Sequence, residues 1–168
     1  MSRIGIFCGS NLGTTKKIAQ DLAVLLGEGV DVYDVAQAKV ENLQEYPVLF
    51  FGCSTWGYGE LQDDWASFIE SLDTVNLEGK KVALFGCGDQ EGYADTFVDA
   101  LGILYDKVQE RQGTVVGMVP LDGFSFSDSA AVRGKQFVGL PLDENNQPEL
   151  TGERLAAWVE GLRKELAL

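Results

Sequence analysis

Short apolar runs alternate with amphipathic segments along this 168-residue chain. Residues 3–8, Val48–Cys53 and Lys81–Cys87 are apolar at almost every position, which is typical of strands that a parallel sheet buries on both faces. Val30–Asp34 alternates between apolar and polar side chains, and residues 114–119 form a further apolar run. The pattern therefore predicts five strands.

Four segments carry apolar residues at helical spacing: Thr14–Leu26, residues 63–72, residues 95–110 and Thr151–Leu166. Parallel strands need crossover connections, and these are right-handed in nearly all proteins. The alternation of strands and helices predicts a three-layer α/β/α sandwich around a five-stranded parallel sheet. No repeat or polar linker interrupts it, so residues 1–168 are expected to form a single domain.

One segment departs from this alternation. Residues 120–148 combine Gly, Asp, Ser and Asn with the short aromatic runs FSF and QFVGL. We interpret the segment as an insertion into or after the fifth strand.

The chain is strongly acidic, with 13 Lys and Arg against 26 Asp and Glu and a net charge of −13. This charge argues against binding to nucleic acid or to anionic membrane surfaces, and it favours partners with basic docking faces. The apolar runs are far shorter than the ~20 residues that cross a bilayer, and the first ten residues lack a signal-peptide core. A cytoplasmic protein is the expectation.

The residue types restrict the chemistry further. There is no histidine, which removes the usual general base near neutral pH and the commonest transition-metal ligand. The three cysteines are too far apart for a zinc site or a CxxC redox pair. Any chemistry is therefore expected to belong to a bound cofactor, and no metal site is predicted.

The first candidate loop, Gly9 to Thr15, lies between a predicted strand and a predicted helix. Its two glycines allow a ligand to approach the backbone, and the free N–H groups of a helix start attract anions. The loop is neither a Walker loop nor a GxGxxG fingerprint. We interpret it as a cradle for one phosphate monoester, and a helix cap without a ligand explains the same residues. Its side-chain donors are Ser10, Asn11, Thr14 and Thr15.

Two further loops begin where the third and fourth strands end, at the edge where α/β sheets bind ligands. Residues 54–61 contain Trp56 and Tyr58 interleaved with Gly57 and Gly59, and residues 86–93 end in Tyr93. Trp56 and Tyr93 would stand on opposite sides of a slot that fits a flat heteroaromatic ring. A partner-binding patch or a loosely packed core explains Trp56 as well, and Asp89 alone is better explained as a carboxylate that caps Gly92.

Together, the loops and the segment after them resemble the flavodoxins of the long-chain type. The similarity runs nearly end to end through GSNLGTT, STWGYGELQDDW, ALFGCGDQEGYADTF and DGFSFSDSAAVRGKQFVGLPLDENNQ. It implies strand order 2-1-3-4-5, with a fifth strand interrupted by an insertion. It also implies a low-potential one-electron carrier that holds FMN non-covalently, uses a neutral semiquinone/hydroquinone couple and has no catalytic side chains.

The resemblance assigns a role to individual residues. Ser10, Asn11, Gly13, Thr14, Thr15 and the Leu12 N–H would hold the phosphate. Trp56 would cover the inner face of the flavin and Tyr93 the outer face, while the Gly57-Tyr58 peptide would face N5. The pyrimidine edge would meet Gly88 and Asp89. Three more residues complete the predicted cofactor site: Ser54, Thr55 and Cys87, the last interpreted as a buried filler at the flavin edge.

One position departs from the family pattern. Leu12 replaces the usual threonine, so one hydroxyl donor to the phosphate is lost. A hydrogen bond to a charged group contributes ~1.5–3 kcal/mol, so we expect weaker but not abolished FMN binding.

Nearby carboxylates are candidates for lowering the reduction potential by repelling the reduced, anionic flavin. They are Asp89, Asp63, Asp64 and Glu60, and the same residues could simply keep the loops soluble.

Three other functions are compatible with an alternating α/β chain. An FMN-dependent NAD(P)H:quinone oxidoreductase has the same fold but needs an open flavin face, against which Trp56 and Tyr93 argue. A cofactor-free interaction module requires a colourless protein. A phospho-acceptor receiver domain is excluded, because Cys8-Gly9-Ser10 and Cys53-Ser54 occupy the places of its acidic residues.

The expected partners follow from charge and from the resemblance. An acidic monomer suits the basic sites of ferredoxin/flavodoxin–NADP reductases. The family resemblance adds photosystem I, pyruvate oxidoreductase and nitrogenase reductase, and fold analogy does not choose among them.

Overall fold

A parallel sheet forms the centre of the molecule in the computed structural model, which describes residues 3–9, 13–56 and 58–168. Its strands are β1 (Ile4–Gly9), β2 (Val30–Asp34), β3 (Val48–Cys53), β6 (Lys81–Cys87), β7 (Thr114–Val116) and β11 (Leu140–Leu142). They lie in the order β2-β1-β3-β6, and β7 and β11 share the free edge of β6. The predicted order 2-1-3-4-5 is confirmed.

The fifth strand position is split between two segments. Thr114 pairs with Lys81 near the start of β6, whereas Leu142 pairs with Cys87 at its end. The predicted strand 114–119 therefore stops at Val116. The cause is Gly117, whose φ of 76° lies in the left-handed region and turns the chain out of the sheet.

Residues 117–139 leave the central sheet and form part of a second, antiparallel one. Its order is β8-β10-β9, with β8 (Val119–Pro120), β9 (Val132–Arg133) and β10 (Gln136–Phe137). The chain re-enters the central sheet at Leu140, inside the segment 120–148 that the sequence assigned to the insertion.

Helices cover both faces of the central sheet, as the predicted three-layer sandwich requires. One buried cluster includes Trp65 and Leu104, and the other includes Ile18 and Trp158, whose ring packs edge-on against Phe50. None of the helices within the described residues has the length and hydropathy of a membrane span. The α-helices are α1 (Thr14–Leu26), α2 (Asp63–Ser71), α3 (Asp99–Glu110) and α4 (Thr151–Leu166), and 3₁₀ turns span Val40–Glu45, Leu72–Thr74 and Pro148–Leu150.

One helix begins later than predicted. The sequence indicated residues 95–110, but α3 starts at Asp99, because Val98 has a φ of 47° and cannot belong to a right-handed helix. The turn before it bonds instead to residues 117–139, called the excursion below, since Phe97 N–H donates to the Asp128 carbonyl and Ser127 N–H to the Ala94 carbonyl.

Candidate functional site

The carboxyl ends of β1, β3 and β6 lie side by side, because β3 pairs with both neighbours. The three candidate loops start at this edge. A short hairpin follows β3, formed by β4 (Thr55–Trp56) and β5 (Glu60–Leu61), with Trp56 opposite Glu60. The fold thus brings the predicted loops together, as expected for ligand binding at the carboxyl edge of an α/β sheet.

The first loop leads into α1 without a side-chain cap. Gly13 is the N-cap residue, with a φ of 84°, and as a glycine it supplies no side-chain cap to the helix. The first turn contains no acidic residue, so the positive end of the helix dipole is not neutralised there. This arrangement suits an anion. The predicted phosphate ligands Ser10, Asn11 and Leu12 lie outside the described residues.

A hydroxyl pair connects the first loop to the second. Thr15 is fully buried, and its Oγ1 lies 2.6 Å from Ser54 Oγ. Cys87 lies beside them: burial raises the pKa of its thiol to about 12, although the hydrogen bond with the Thr15 hydroxyl acts in the opposite direction. The thiol is therefore neutral at physiological pH, as suits a packing residue.

The second loop presents Trp56 towards solvent. Its hairpin is fixed to the start of α3, because the Ala100 N–H donates to Thr55 Oγ1 at 3.0 Å. Trp56 is 38% exposed and Tyr58 is 89% exposed, which is unusual for side chains of this size. Gly57 lies outside the described residues, so the peptide predicted to face flavin N5 stays a prediction.

The third loop is held by Asp89. Its Oδ1 accepts hydrogen bonds from the N–H groups of Gly92 (2.7 Å) and Glu91 (3.1 Å). The Gly92 N–H, the side chains of Asn146 and Asn145 and the Glu91 N–H hold the pKa of Asp89 below its usual range. The carboxylate thus caps its own loop, and its predicted contact with the pyrimidine edge stays a prediction. Gly88 N–H donates to the Leu142 carbonyl at 2.9 Å.

Tyr93, at the end of this loop, is 50% exposed. Its N–H donates to the Asp89 carbonyl at 3.0 Å, but its ring has no aromatic neighbour in the described part of the chain, and nor does that of Trp56. These two exposed rings belong to loops that start at the same sheet edge as the loop before α1, which fits a ligand with a flat ring and a phosphate.

The candidate acidic residues have different surroundings. Asp63 and Asp64 occupy the first turn of α2, where they interact favourably with the helix dipole. Asp64 also accepts a hydrogen bond from Gln62 Nε2 at 2.8 Å, whereas Glu60 is exposed on β5.

Three buried polar residues of the site were not predicted from the sequence. Gln62 Oε1 accepts from the Trp65 N–H at 3.2 Å and so caps α2. Gln90 and Asp143 bond to each other across 53 positions of sequence. Gln is not among the residues preferred before a helix, so no sequence signal marks Gln62 as a cap, whereas Asp143 followed by Asn145 and Asn146 is a recognisable turn signal.

Comparison with known proteins agrees with this geometry. A family model described as flavodoxin matches residues 6–158. The chain is 46% identical to a flavodoxin of Synechococcus elongatus over 170 residues, which cover 100% of both chains. It is also 46% identical to flavodoxin 1 of Escherichia coli K12, over 100% of this chain and 97% of the relative. The solved structure of Fusobacterium nucleatum flavodoxin bound to flavin mononucleotide superposes with a TM-score of 0.94 at 30% identity, covering 98% of this chain and 99% of that one.

Proposed function

Because this chain belongs to the flavodoxin family, we propose that it binds FMN non-covalently and carries electrons one at a time between redox proteins. The observation that carries the proposal is the pair of exposed rings, Trp56 and Tyr93, in loops at the sheet edge where α1 begins with a glycine N-cap and no acidic residue in its first turn. When bound, FMN supplies the one-electron redox chemistry. The protein's own residues bind and shield it.

We assign phosphate binding to the start of α1. The N–H groups of its first turn and the Thr14 hydroxyl are donors, and the Thr15–Ser54 pair fixes the turn against the next loop. The predicted donors Ser10 and Asn11 would complete the cradle. Leu12 contributes only its backbone N–H, so the affinity for FMN is expected to be lower than with a threonine there.

The ring side of the site would set the redox potential. Trp56 and Tyr93 exclude water from the two faces of the ring, and Asp89 keeps its negative charge close to the site because its pKa is lowered. A carboxylate ~8 Å from a developing negative charge costs about 2 kcal/mol at an effective dielectric constant of ~20. For a one-electron couple, a tenfold change in the equilibrium constant corresponds to about 59 mV. A few such charges therefore lower the reduction potential of the flavin substantially.

The partners are proposed from charge. A net charge of −13 favours redox proteins with basic docking faces, such as ferredoxin/flavodoxin–NADP reductases. Photosystem I, pyruvate oxidoreductase and nitrogenase reductase are further candidates. We propose a cytoplasmic monomer in which no side chain acts as a catalyst.

The test is a titration of the purified apoprotein with FMN, followed by stepwise reduction under anaerobic conditions. The expected result is one FMN per chain, bound at micromolar concentration or tighter, with two separate one-electron reductions. A Trp56→Ala variant should bind more weakly, and Tyr105→Ala, on α3 beneath Arg133, is the matched control. A protein that binds no FMN, or that takes up both electrons in one step, would contradict the proposal.

A further inference from the structure

A buried carboxylate follows β11 directly. Asp143 is fully buried, and no lysine or arginine of the described residues forms an ion pair with it. Five N–H groups bond to it instead. Its Oδ1 accepts from the backbone of Asn145 (3.1 Å) and Asn146 (3.0 Å), and its Oδ2 from Asn146 Nδ2 (2.8 Å) and from Gln90 N–H (3.0 Å) and Nε2 (2.8 Å).

This set of donors determines the charge of Asp143. Burial alone would raise the pKa of the carboxyl, but the hydrogen bonds from Asn146 and Gln90 outweigh burial and lower it. A buried carboxylate is expensive unless such bonds satisfy it, so the surrounding groups are held in one arrangement.

Gln90 connects this carboxylate to two other segments. It is 4% exposed and follows Asp89 in the third loop. Its Nε2 also donates to Gln147 Oε1 at 2.8 Å, and its Oε1 accepts from the Ser125 N–H at 2.6 Å. Every polar group of its side chain is therefore used, and the loop is bonded both to residues 143–147 and to the excursion.

A single amide joins the two carboxylates. Asn146 Nδ2 lies 2.8 Å from Asp89 Oδ1 and 2.8 Å from Asp143 Oδ2, and Asn145 Nδ2 donates to Asp89 Oδ2 at 3.0 Å. The Asp89 loop is thus held from outside as well as by its own backbone N–H groups.

The contacts of the Tyr93 ring do not fix its orientation. It is half exposed and stacks on no aromatic ring of the described residues, so the backbone of residues 89–93 decides where it points. We propose that Asp143 and Gln90 are positioning residues, which fix the third loop so that Tyr93 can cover the flavin. This inference rests on the proposed function.

The test compares the binding of two flavins. Asp143→Asn keeps the shape of the side chain but removes its charge and places an NH₂ group among N–H donors. Gln90→Met is the milder second variant, should Asp143→Asn not fold. Each should raise the dissociation constants of FMN and of riboflavin by the same factor. That factor is about tenfold, because the loss of one charge-assisted hydrogen bond changes an equilibrium constant by about that factor. Thr14→Val, at the phosphate end, should weaken FMN but not riboflavin.

Tyr46→Phe is the control for lost stability. Tyr46 is equally buried, and its hydroxyl donates to Asp31 Oδ2 at 2.6 Å, near the amino ends of the strands and far from the loops. Its variant should keep both dissociation constants within about twofold at matched stability. Unchanged riboflavin affinity in a folded Gln90→Met or Asp143→Asn protein, or an equal loss in Tyr46→Phe, would overturn the inference.

Amide hydrogen exchange in the apoprotein separates this inference from the proposed function. The Gly92 and Tyr93 N–H groups bond to Asp89 and should exchange about tenfold faster in both variants, since their protection reports local opening of the loop. If the wild-type protein bound no flavin, the proposed function would fail. Even in that case, the positioning role would be refuted if these amide protons exchanged no faster in the variants than in the wild-type protein.

Discussion

Two helix glycines provide a test of how the excursion is attached to the sheet. Gly102 in α3 and Gly161 in α4 undergo the same chemical change when replaced by alanine, but their surroundings differ. A Cβ at Gly102 would lie 2.2 Å from the carbonyl oxygen of Ala130, in the excursion, whereas a Cβ at Gly161 would have nothing within 4 Å. The pair separates helix propensity from packing.

The two effects have opposite signs and different sizes. Alanine is favoured over glycine inside a helix by about 0.8–1 kcal/mol, so Gly161→Ala should stabilise the protein by about that amount. Overpacking costs about 1–3 kcal/mol. The upper half of that range applies to Gly102→Ala, because the Ala130 oxygen belongs to the backbone and cannot rotate away. After the gain in propensity, a net loss of about 1–2 kcal/mol is expected.

The assay is equilibrium urea unfolding of both variants and the parent apoprotein, followed by circular dichroism. In a thermal scan, 1 kcal/mol corresponds to about 2–4 °C in a domain of this size. Gly102→Ala should also weaken FMN binding, because the turn before α3 is bonded to the excursion through Ser127 N–H and the Ala94 carbonyl. Gly161→Ala should leave the affinity unchanged. If Gly102→Ala stabilised the protein as much as Gly161→Ala, the close contact with Ala130 would not constrain the excursion.

Three further outcomes are expected. Tyr93→Ala should weaken FMN binding by about tenfold and make the second one-electron potential less negative, since water reaches the flavin; a potentiometric titration without an upward shift contradicts this shielding. The free energy of unfolding should fall as the pH drops below about 4. Asp89 has a lowered pKa in the folded protein, so its contribution to stability is complete above its unfolded pKa and is lost as the pH falls towards its folded pKa. Asp89→Asn should flatten that dependence in urea titrations between pH 6 and 3. Native protein should resist iodoacetamide near neutral pH, and fast labelling before denaturation would contradict the thiol pKa values, which burial raises to about 11, 12 and 12 in Cys8, Cys53 and Cys87.

The central strands could be predicted because their environment is uniform along their length. Val48–Cys53 and Lys81–Cys87 are buried on both faces over nearly all their residues, so their apolar runs end where the strands end. Thr14–Leu26 was equally clear, because helical spacing ends at Gly27. These signals are local, and local signals are sufficient for elements that pack on one or two regular faces.

The elements near the excursion could not be predicted so well, because distant contacts decide them. Residues 95–98 have helical spacing, yet the Phe97 N–H bonds to Asp128 and α3 starts after them. In the same way, Val119 continues an apolar run but belongs to β8 of the second sheet. In both cases, hydrogen bonds with distant residues, Asp128 for Phe97 and Phe137 for Val119, outweigh the local preference of a short segment.

The same difference between local signals and distant contacts applies to the candidate site. Trp56 and Tyr93 stood out in the sequence because a large aromatic residue next to a glycine after a strand is unusual; both are exposed, and their contact with the flavin stays a prediction. Asp143 and Gln90 were missed, because their interaction spans 53 positions and leaves no periodic pattern.

The split fifth strand explains how these two residues meet. If β7 continued in its register with β6, Pro120 would stand opposite Cys87, at the edge where the loops begin. Leu142 stands there instead, so the residue that enters the site after the strand is Asp143. The chain between them packs against the turn before α3 and donates the Ser125 N–H to Gln90. The insertion therefore does more than lengthen a surface loop, since it changes which residues follow the strand and supports the neighbouring loop from the side. That arrangement gives an exposed tyrosine a fixed position without burying its ring.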